Sequence, residues 1–304
     1  PSGSTFPLGT TVVGLSAADA AGNTAPASFT ITVRDTTPPV IAAPAALTAA
    51  ATSSAGAEVT FVATATDIVS GSVSVIASSP SGSTFPIGFS SVSLSATDAA
   101  GNTAPGTILI RVQDTIAPVL TLPADQTIEA TSAAGAVATF SATATDAVGV
   151  TSLTHSAASG STFPIGATTV TATAQDAAGN SSSGSFTITV VDTTAPVIAS
   201  LAPSSATLWP PNHKMVPITL NAVASDAVGV ASLKIISATS SEPDNGLGDG
   251  DTAGDIEITG ALTLNLRAER SGKGNGRVYT ITVEAKDAAG NATTKSVTVS
   301  VPKS

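Results

Sequence analysis

The chain has 304 residues, a net charge of −10, only 11 lysine and arginine residues and no cysteine. This balance argues against nucleic acid or an anionic membrane surface as the partner, and it leaves no disulfide to add stability. No apolar run reaches the roughly 18 residues of a membrane span. Because aromatic residues make up only 3%, we expect small aliphatic cores that are marginal alone, with Ca²⁺ as the remaining common stabiliser.

Three sequence markers recur along the chain at a fixed interval. Gly-Ser-Thr-Phe-Pro begins at Gly3, Gly82 and Gly160, with spacings of 79 and then 78 residues. Asp-Ala-Ala-Gly-Asn and Asp-Thr-x-x-Pro recur with the same spacings. A period of this length indicates a tandem array. The predicted units are 1–34 (the back half of one repeat), 35–113, 114–191 and a larger 192–304.

The first unit contains only two predicted strands, near 10–18 and at 27–34, with a turn at Asp19 between them. A two-stranded piece is marginal by itself. Its front half is therefore missing, disordered or supplied by another chain. Because the chain begins in mid-repeat, we expect a piece of a longer protein, with any export signal upstream of Pro1.

The second and third units show the alternation of half-buried strands. Residues 59, 61, 63 and 65 are apolar, as are 92, 94 and 96, and the positions between them are Thr or Ser except for Val62. This period of two indicates strands. No window has a convincing helical period. Short strands separated by Gly, Pro and Ser turns predict an all-β chain of tandem immunoglobulin-like β-sandwich domains in an extended array.

The fourth unit carries an insertion. Asp226 and Asp287 are 61 residues apart, against 31 and 30 for the corresponding pairs before them. The added length includes an acidic, glycine-rich loop at 242–255, which lacks the ligand order of an EF-hand. A second Ca²⁺ loop and a solvated surface insertion are both open interpretations. The first candidates for ligands in this loop are Asp249, Asp251 and Asp255.

The segment 209–215 of the same unit holds the only Trp and the only Met of the chain. Its two prolines impose an extended, edge-type conformation. Trp209 is predicted to cover the core or the joint, with a ligand-binding role as the alternative. His213 and His155 each lack a second nitrogen ligand, so no transition-metal site is predicted.

Three aspartates of each later unit are predicted to meet at one pole. In an immunoglobulin-like sandwich the chain enters at a pole to which the turn after the second strand and the final hairpin turn both return. Three carboxylates gathered there repel one another unless a cation lies between them. Ca²⁺ suits such a place because it accepts six to eight oxygens with loose geometry. The predicted triads are Asp35, Asp67 and Asp98; Asp114, Asp146 and Asp176; and Asp192, Asp226 and Asp287.

A structural interpretation of the same residues stays open. Asp at the start of a turn can bond its own backbone, and Asp before Thr-Thr-Pro can simply shape a stiff joint. Asn102, Asn180 and Asn291 either add an oxygen ligand or brace the hairpin turn.

The ordered run Gly-Ser-Thr-Phe-Pro-x-Gly, Asp-Ala-Ala-Gly-Asn and Asp-Thr-Thr-Ala-Pro resembles the hyalin repeat, and equally the bacterial immunoglobulin-like modules of surface adhesins. The resemblance covers residues 1 to about 200 and resumes at 280–301. Hyalin repeats often carry a cysteine pair that is absent here, which favours the bacterial version. The resemblance implies Ca²⁺ bound at the joints by Asp35, Asp114 and Asp192 and by the hairpin residues Asp98, Asp176 and Asp287. The assignment of Asp67, Asp146 and Asp226 depends on topology alone.

The residues needed for catalysis are not recognisable: there is no cysteine, no nucleophile elbow and no phosphate-binding loop. We therefore predict a non-enzymatic stalk or fibre segment of an exported cell-surface protein, stiffened by Ca²⁺ at its joints. The predicted partners are neighbouring repeats of the same chain, with other copies in a fibre or a surface glycan or protein as further candidates. The alternatives are a binding module at 192–304 and an accessory region of a secreted hydrolase.

Overall fold

The computed structural model describes residues 3–244 and 253–303, and these residues form strands, turns and irregular segments. The all-β prediction is confirmed. No helix that could cross a membrane occurs in this part of the chain. The contacts divide the chain into two units, of which one comprises 1–120, 144–153 and 173–183 and the other 121–143, 154–172 and 184–304.

The strands of residues 3–113 form a hairpin followed by a small sandwich. β1 pairs only with β2. The sandwich has one sheet with strand order β4-β11-β10-β8, a second with order β3-β6-β7, and the pair β5-β9. The strands are β1 (Gly9–Ala18), β2 (Thr24–Val33), β3 (Val40–Ala42), β4 (Ala46–Ala50), β5 (Ala57–Val59), β6 (Thr64–Asp67), β7 (Gly71–Val73), β8 (Val75–Ala77), β9 (Ser83–Phe85), β10 (Gly88–Thr97) and β11 (Thr103–Gln113).

The strands of residues 114–191 repeat this scheme. The main sheet has the order β13-β19-β18-β16, accompanied by the pairs β12-β15 and β14-β17. The strands are β12 (Val119–Thr121), β13 (Gln126–Glu129), β14 (Ala136–Val137), β15 (Thr143–Thr145), β16 (Val150–His155), β17 (Thr162–Phe163), β18 (Gly166–Asp176) and β19 (Ser181–Val191).

The strands of residues 192–303 are longer and form two sheets with orders β20-β21-β24-β23 and β22-β25-β26. Their buried residues enclose the largest apolar cluster, which includes Tyr279, Ile281 and Val299. The strands are β20 (Val197–Pro203), β21 (Met215–Ser225), β22 (Ser232–Ser240), β23 (Ile256–Gly260), β24 (Thr263–Arg267), β25 (Gly276–Lys286) and β26 (Ala292–Pro302).

The continuous strand expected around residues 58–66 is divided in the structure. β5 pairs with β9, whereas β6 pairs with β3 and β7, so the chain changes sheets across residues 60–63. Along this crossing the N–H of Phe61 donates to the Ser81 hydroxyl at 2.8 Å instead of to a neighbouring strand. The alternating pattern continues through the crossing, which is why periodicity alone did not reveal the break.

The hairpin strands place a regular apolar face in each small core. Val92, Leu94 and Ala96 on β10 are buried, and the residues between them are more exposed. On β11, Ile108, Ile110 and Val112 face the same cluster. The hairpin turn that joins these strands therefore has a fixed position at the end of the core.

Candidate metal centres

The first candidate centre is formed where three separate elements end. Asp35 follows β2, Asp67 is the last residue of β6, and Asp98 follows β10. One carboxylate oxygen from each lies within 4.8 Å of the others. Asp67 is 8% and Asp98 7% exposed, so two of the three carboxylates are largely removed from water. The structure brings this predicted triad together.

The second candidate centre repeats this arrangement in the next repeat. Asp114, Asp146 and Asp176 each present an oxygen within 4.8 Å of the other two. Asp176 is only 3% exposed. Three carboxylates in such a space repel one another strongly unless a cation or protons neutralise them.

The third predicted triad is looser. Among the described residues, only the two preceding triads have one oxygen from each aspartate within 4.8 Å of the others, so Asp192, Asp226 and Asp287 are less tightly gathered. Desolvation and the charge of Asp287 nevertheless raise the pKa of Asp192, and the charge of Asp226 adds to this effect. These three residues are thus electrostatic neighbours.

Three aspartates, at the ends of β6, β15 and β21, each shape the following turn with one carboxylate oxygen; they are Asp67, Asp146 and Asp226. Asp146 Oδ1 accepts the N–H groups of Val148 at 2.8 Å and Gly149 at 2.9 Å. Asp67 and Asp226 accept from the two corresponding N–H groups of their own turns. This use of Oδ1 fixes the side chain and leaves Oδ2 directed elsewhere.

The hairpin aspartates are held by the asparagine four residues later. Asp176 Oδ1 accepts the N–H of Asn180 at 2.9 Å, and its Oδ2 accepts the Asn180 amide at 2.8 Å. The same amide donates to the carbonyl of Asp114 at 3.3 Å. Asn180 therefore braces the turn and ties it to the joint. Asn102 and Asn291 make the equivalent bonds.

These bonds keep the hairpin carboxylates ionised. Burial raises the pKa of Asp98, Asp176 and Asp287, but hydrogen bonds from the asparagine side chains and from backbone N–H groups outweigh burial. The pKa of each group consequently lies below its ordinary value. A carboxylate that stays ionised is a suitable ligand for a hard cation.

The joint aspartates carry the clearest sign of a ligand site. Asp35 Oδ1 accepts the N–H of Thr37 at 3.1 Å, and Asp114 Oδ1 accepts that of Ile116 at 3.2 Å. Their Oδ2 atoms are buried and have no hydrogen-bond partner within 3–244 and 253–303, as is also true of Asp67 Oδ2 and Asp192 Oδ2. Buried carboxylate oxygens are normally paired or metal-bound. The turn-forming and ligand interpretations are therefore compatible, because each uses a different oxygen.

The acidic loop of the fourth repeat is described only at its ends. Asp249 and Asp251 lie outside the described residues. Asp255 is 3% exposed, and its Oδ1 accepts from Arg267 Nε at 3.1 Å while its Oδ2 accepts from Arg277 Nη1. Both carboxylate oxygens pair with guanidinium groups, so Asp255 is held at the described end of the loop, and its role as a metal ligand stays a prediction.

Two acidic side chains have structural roles that the sequence did not predict: nothing pointed to Glu129, and Glu269 was expected in a surface charge pair with Arg267 and Arg270. Glu129, at the end of β13, accepts four hydrogen bonds from Thr193 and Thr194 in the joint that leads to the fourth repeat. Glu269 is fully buried and pairs with His213 at 2.9 Å. Neither lies in a repeated motif; the second repeat has Ala50 where the third has Glu129.

His155 and Trp209 lie in different environments in the structure. His155 packs edge-on against Phe140, with ring centroids 5.4 Å apart, and so belongs to the third-repeat core. Trp209 is 56% exposed and does not cover the core as one interpretation expected. It lines a hollow of about 200 Å³ with the neutral polar residues Ser205, Thr207 and Asn212.

Comparison with known proteins gives a consistent family match. The model of the HYR domain matches residues 1–33, 34–112 and 113–190. Proteins named hyalin from Strongylocentrotus purpuratus and Lytechinus variegatus are each 37% identical to this chain, over 212 and 211 residues. These matches cover 64% and 65% of this chain but only 18% and 40% of the two relatives.

Solved structures share the arrangement more distantly. The protocadherin gammaB7 EC3-6 cis-dimer structure has a TM-score of 0.39 and 16% identity, covering 97% of this chain and 85% of that one. A Ca²⁺-stabilised adhesin that helps an Antarctic bacterium bind ice has a TM-score of 0.36 and 18% identity, covering 96% and 81%. Similarity at these TM-scores does not bear on function.

Proposed function

The chain belongs to the HYR domain family, since the family model matches most of the chain's length, and from this membership we propose a function. The chain is a structural segment of an exported cell-surface protein. In this proposal the repeats are bounded at 1–34, 35–113, 114–191 and 192–304, and Ca²⁺ at the joints stiffens them. The segment supports adhesion or filament formation and has no catalytic role of its own. Its primary partners are the adjacent repeats, with further copies of the chain as a candidate.

The observation that carries the proposal is the set of buried, unpartnered carboxylate oxygens at the joints. Asp35 Oδ2 and Asp67 Oδ2 have no donor, although both residues belong to a cluster that includes the ionised Asp98. Leaving such oxygens dry and unpaired is costly. A divalent cation among them would neutralise the repulsion and satisfy the missing interactions.

The chemistry of the donors favours Ca²⁺ over a transition metal. All three side chains of each cluster offer carboxylate oxygens and none offers nitrogen or sulfur, which suits a hard cation. Backbone carbonyls and water would complete the coordination. When bound, the ion would supply positive charge; Asp35, Asp67 and Asp98 would each contribute one oxygen.

An ion held in this way would restrict the joint. The three ligands of one site come from a connecting segment, the end of a strand and a hairpin turn, so a shared cation fixes their separation. The proline after each joint already reduces backbone freedom. Millimolar Ca²⁺ outside cells is enough to fill sites of modest affinity.

Asp67→Asn and Asp146→Asn test this proposal. Asparagine keeps the oxygen that accepts the two turn N–H groups but removes the charge and half of the ligand capacity. We expect about 2 mM Ca²⁺ to raise the Tm of the unaltered chain and to narrow the range of conformations in small-angle scattering. Each variant should lose part of both effects.

The control is Asp19→Asn, which alters a hairpin aspartate of the same type as Asp98 and Asp176, at a place where no triad is found among the described residues. This variant should keep the full Ca²⁺ response. If chelation changes neither Tm nor scattering in the unaltered chain, the clusters are turn formers and the calcium proposal is wrong.

A second candidate function is glycan binding by the fourth repeat. The exposed indole of Trp209, beside a hollow lined with hydroxyl and amide groups, offers a stacking face and neutral hydrogen-bonding groups for a sugar ring. Trp209 is the only tryptophan, so its fluorescence reports directly on this place. Binding on a glycan array that is lost in Trp209→Ala and accompanied by quenching would support this function; no binding by the unaltered chain would refute it.

A further inference from the structure

A single valine of the third repeat packs against the core of the second. Val148 lies in the turn Asp-Ala-Val-Gly at 146–149, and its half-buried side chain contacts the apolar cluster that includes Val92, Ile110 and Val112. The cluster otherwise consists of second-repeat residues. Val148 therefore closes the end of a core to which its own repeat does not belong.

The same arrangement recurs one repeat later. Val228 occupies the third position of Asp-Ala-Val-Gly at 226–229 and packs against the cluster formed by Phe163, Phe186 and Val190 of the third repeat. Recurrence at the same position of the same turn indicates a specific contact between consecutive repeats.

The remaining turn of this kind provides an internal comparison. Val69 stands two residues after Asp67, as Val148 does after Asp146, yet it is 47% exposed. Before it, the described residues 3–33 form only the hairpin β1-β2, and none of them belongs to a buried core cluster. The valine is thus half-buried where the preceding unit has a core to receive it and more exposed where it has none.

The aspartate of this turn connects the valine to the candidate metal centre. Asp146 Oδ1 holds the N–H of Val148 at 2.8 Å, and a carboxylate oxygen of Asp146 lies within 4.8 Å of those of Asp114 and Asp176. Since Asp146 and Val148 are separated by a single residue, the position of the turn determines both contacts at once.

We propose that the Asp-x-Val turn is the docking element between consecutive repeats, with the valine inserted in the preceding core and the aspartate facing the cation. The partner surface is the open end of that core, and a small β-branched side chain fits it. Docking and cation binding therefore strengthen each other, and thermodynamic coupling makes this effect reciprocal. The coupling rests on the calcium proposal, whereas the docking contact does not.

The test compares Val148→Ala and Val228→Ala with Val69→Ala in the full chain. In chelator, the first two should lower the Tm of the affected repeats by roughly 4–8 °C, whereas Val69→Ala should change it little. Isothermal titration should then show Ca²⁺ binding weakened about fivefold or more by Val148→Ala and unchanged by Val69→Ala. Val148→Ile guards against misfolding, because a cleft of about 420 Å³ beside Val148 gives the added methyl room and both properties should be retained.

The outcomes separate the two proposals. Equal Tm values for Val148→Ala and Val69→Ala in chelator would overturn the docking inference whatever calcium does. A lowered Tm with unaltered Ca²⁺ affinity would overturn the coupling. If the unaltered chain binds no Ca²⁺, the calcium proposal and the coupling are wrong, while the comparison in chelator still decides the docking contact.

Discussion

Glu129 Oε1 accepts two hydrogen bonds from Thr194, one from its backbone N–H at 3.1 Å and one from its hydroxyl at 2.8 Å. With two further bonds from Thr193, the carboxylate clips the end of β13 to the segment that leads into the fourth repeat. The N–H and the hydroxyl of Thr193, followed by the Thr194 hydroxyl, hold the pKa of Glu129 below its ordinary value of 4.5.

This clip predicts an acid-dependent loss of stability. A group whose pKa is lowered by folding stabilises the folded state above its unfolded pKa, and this contribution is lost as the pH falls through the lower, folded pKa. In chelator, Glu129→Gln should therefore lower the Tm at pH 7, and the difference from the unaltered chain should shrink below about pH 4. A difference that stays constant across the titration would mean that the ionised form has no special role.

A second prediction concerns Gly135, which lies at the crowded turn before β14. Its φ is +109°, and a Cβ there would lie 1.8 Å from the carbonyl oxygen of Phe163. Gly135→Ala should cost at least about 3 kcal/mol in urea unfolding, since backbone must move. Gly179→Ala is the matched control, because its φ is +92° with open space around it and only the strain of about 1–2 kcal/mol applies. Equal costs would show that the turn relaxes freely.

Much of the fold could be predicted because the same sequence markers recur in each repeat. The markers gave the period, and alternation located the hairpin strands, since their buried faces are regular over ten or more residues. The topology argument predicted the gathering of the first two triads, whereas the third is looser than expected. The change of sheets at 60–63 could not be predicted in this way because every second position from 59 to 65 is apolar, on both sides of the crossing and within it.

The roles of the individual carboxylate oxygens could not be predicted from the sequence. The sequence allowed each aspartate to be a turn former or a ligand, and only the placement of single oxygens shows that Asp67 Oδ1 makes the turn while Oδ2 remains without a donor. The ion pairs of Asp255 could not be predicted because Arg267, on β24, and Arg277, on β25, are distant from it in sequence. Long-range pairing of this kind leaves no local pattern.

A third prediction follows from that arginine clamp. Arg277 is fully buried, and its guanidinium pairs with Asp255. Asp255→Asn removes one charge of a buried pair and should cost about 3–5 kcal/mol in denaturant unfolding of the fourth repeat. Glu257→Gln, an exposed substitution two residues later on β23, should change stability by no more than about 0.5 kcal/mol. Similar small costs for both variants would mean that water enters and solvates the arginine.

The last prediction concerns the sign of a charge effect at Asp192. Desolvation and the charge of Asp287 raise the pKa of Asp192, and the charges of Asp226 and Glu129 raise it further. The hydrogen bond from the N–H of Thr194 acts in the opposite direction. An acid whose pKa is raised by folding destabilises the folded state at neutral pH, and this cost disappears as the pH falls below the unfolded pKa of about 3.9. In chelator at pH 7, Asp192→Asn should therefore raise the Tm.

The control for this prediction has the opposite sign. Asp19 is held by Asn23, whose side-chain amide is the main cause of its lowered pKa, so Asp19→Asn should leave the Tm unchanged or lower it in chelator. Adding Ca²⁺ should reverse the order at position 192, because the ion turns a repelled carboxylate into a ligand that asparagine replaces poorly. If Asp192→Asn lowers the Tm in chelator as well, the repulsion is already relieved by the protein, and the reason for placing a cation among these three aspartates is lost.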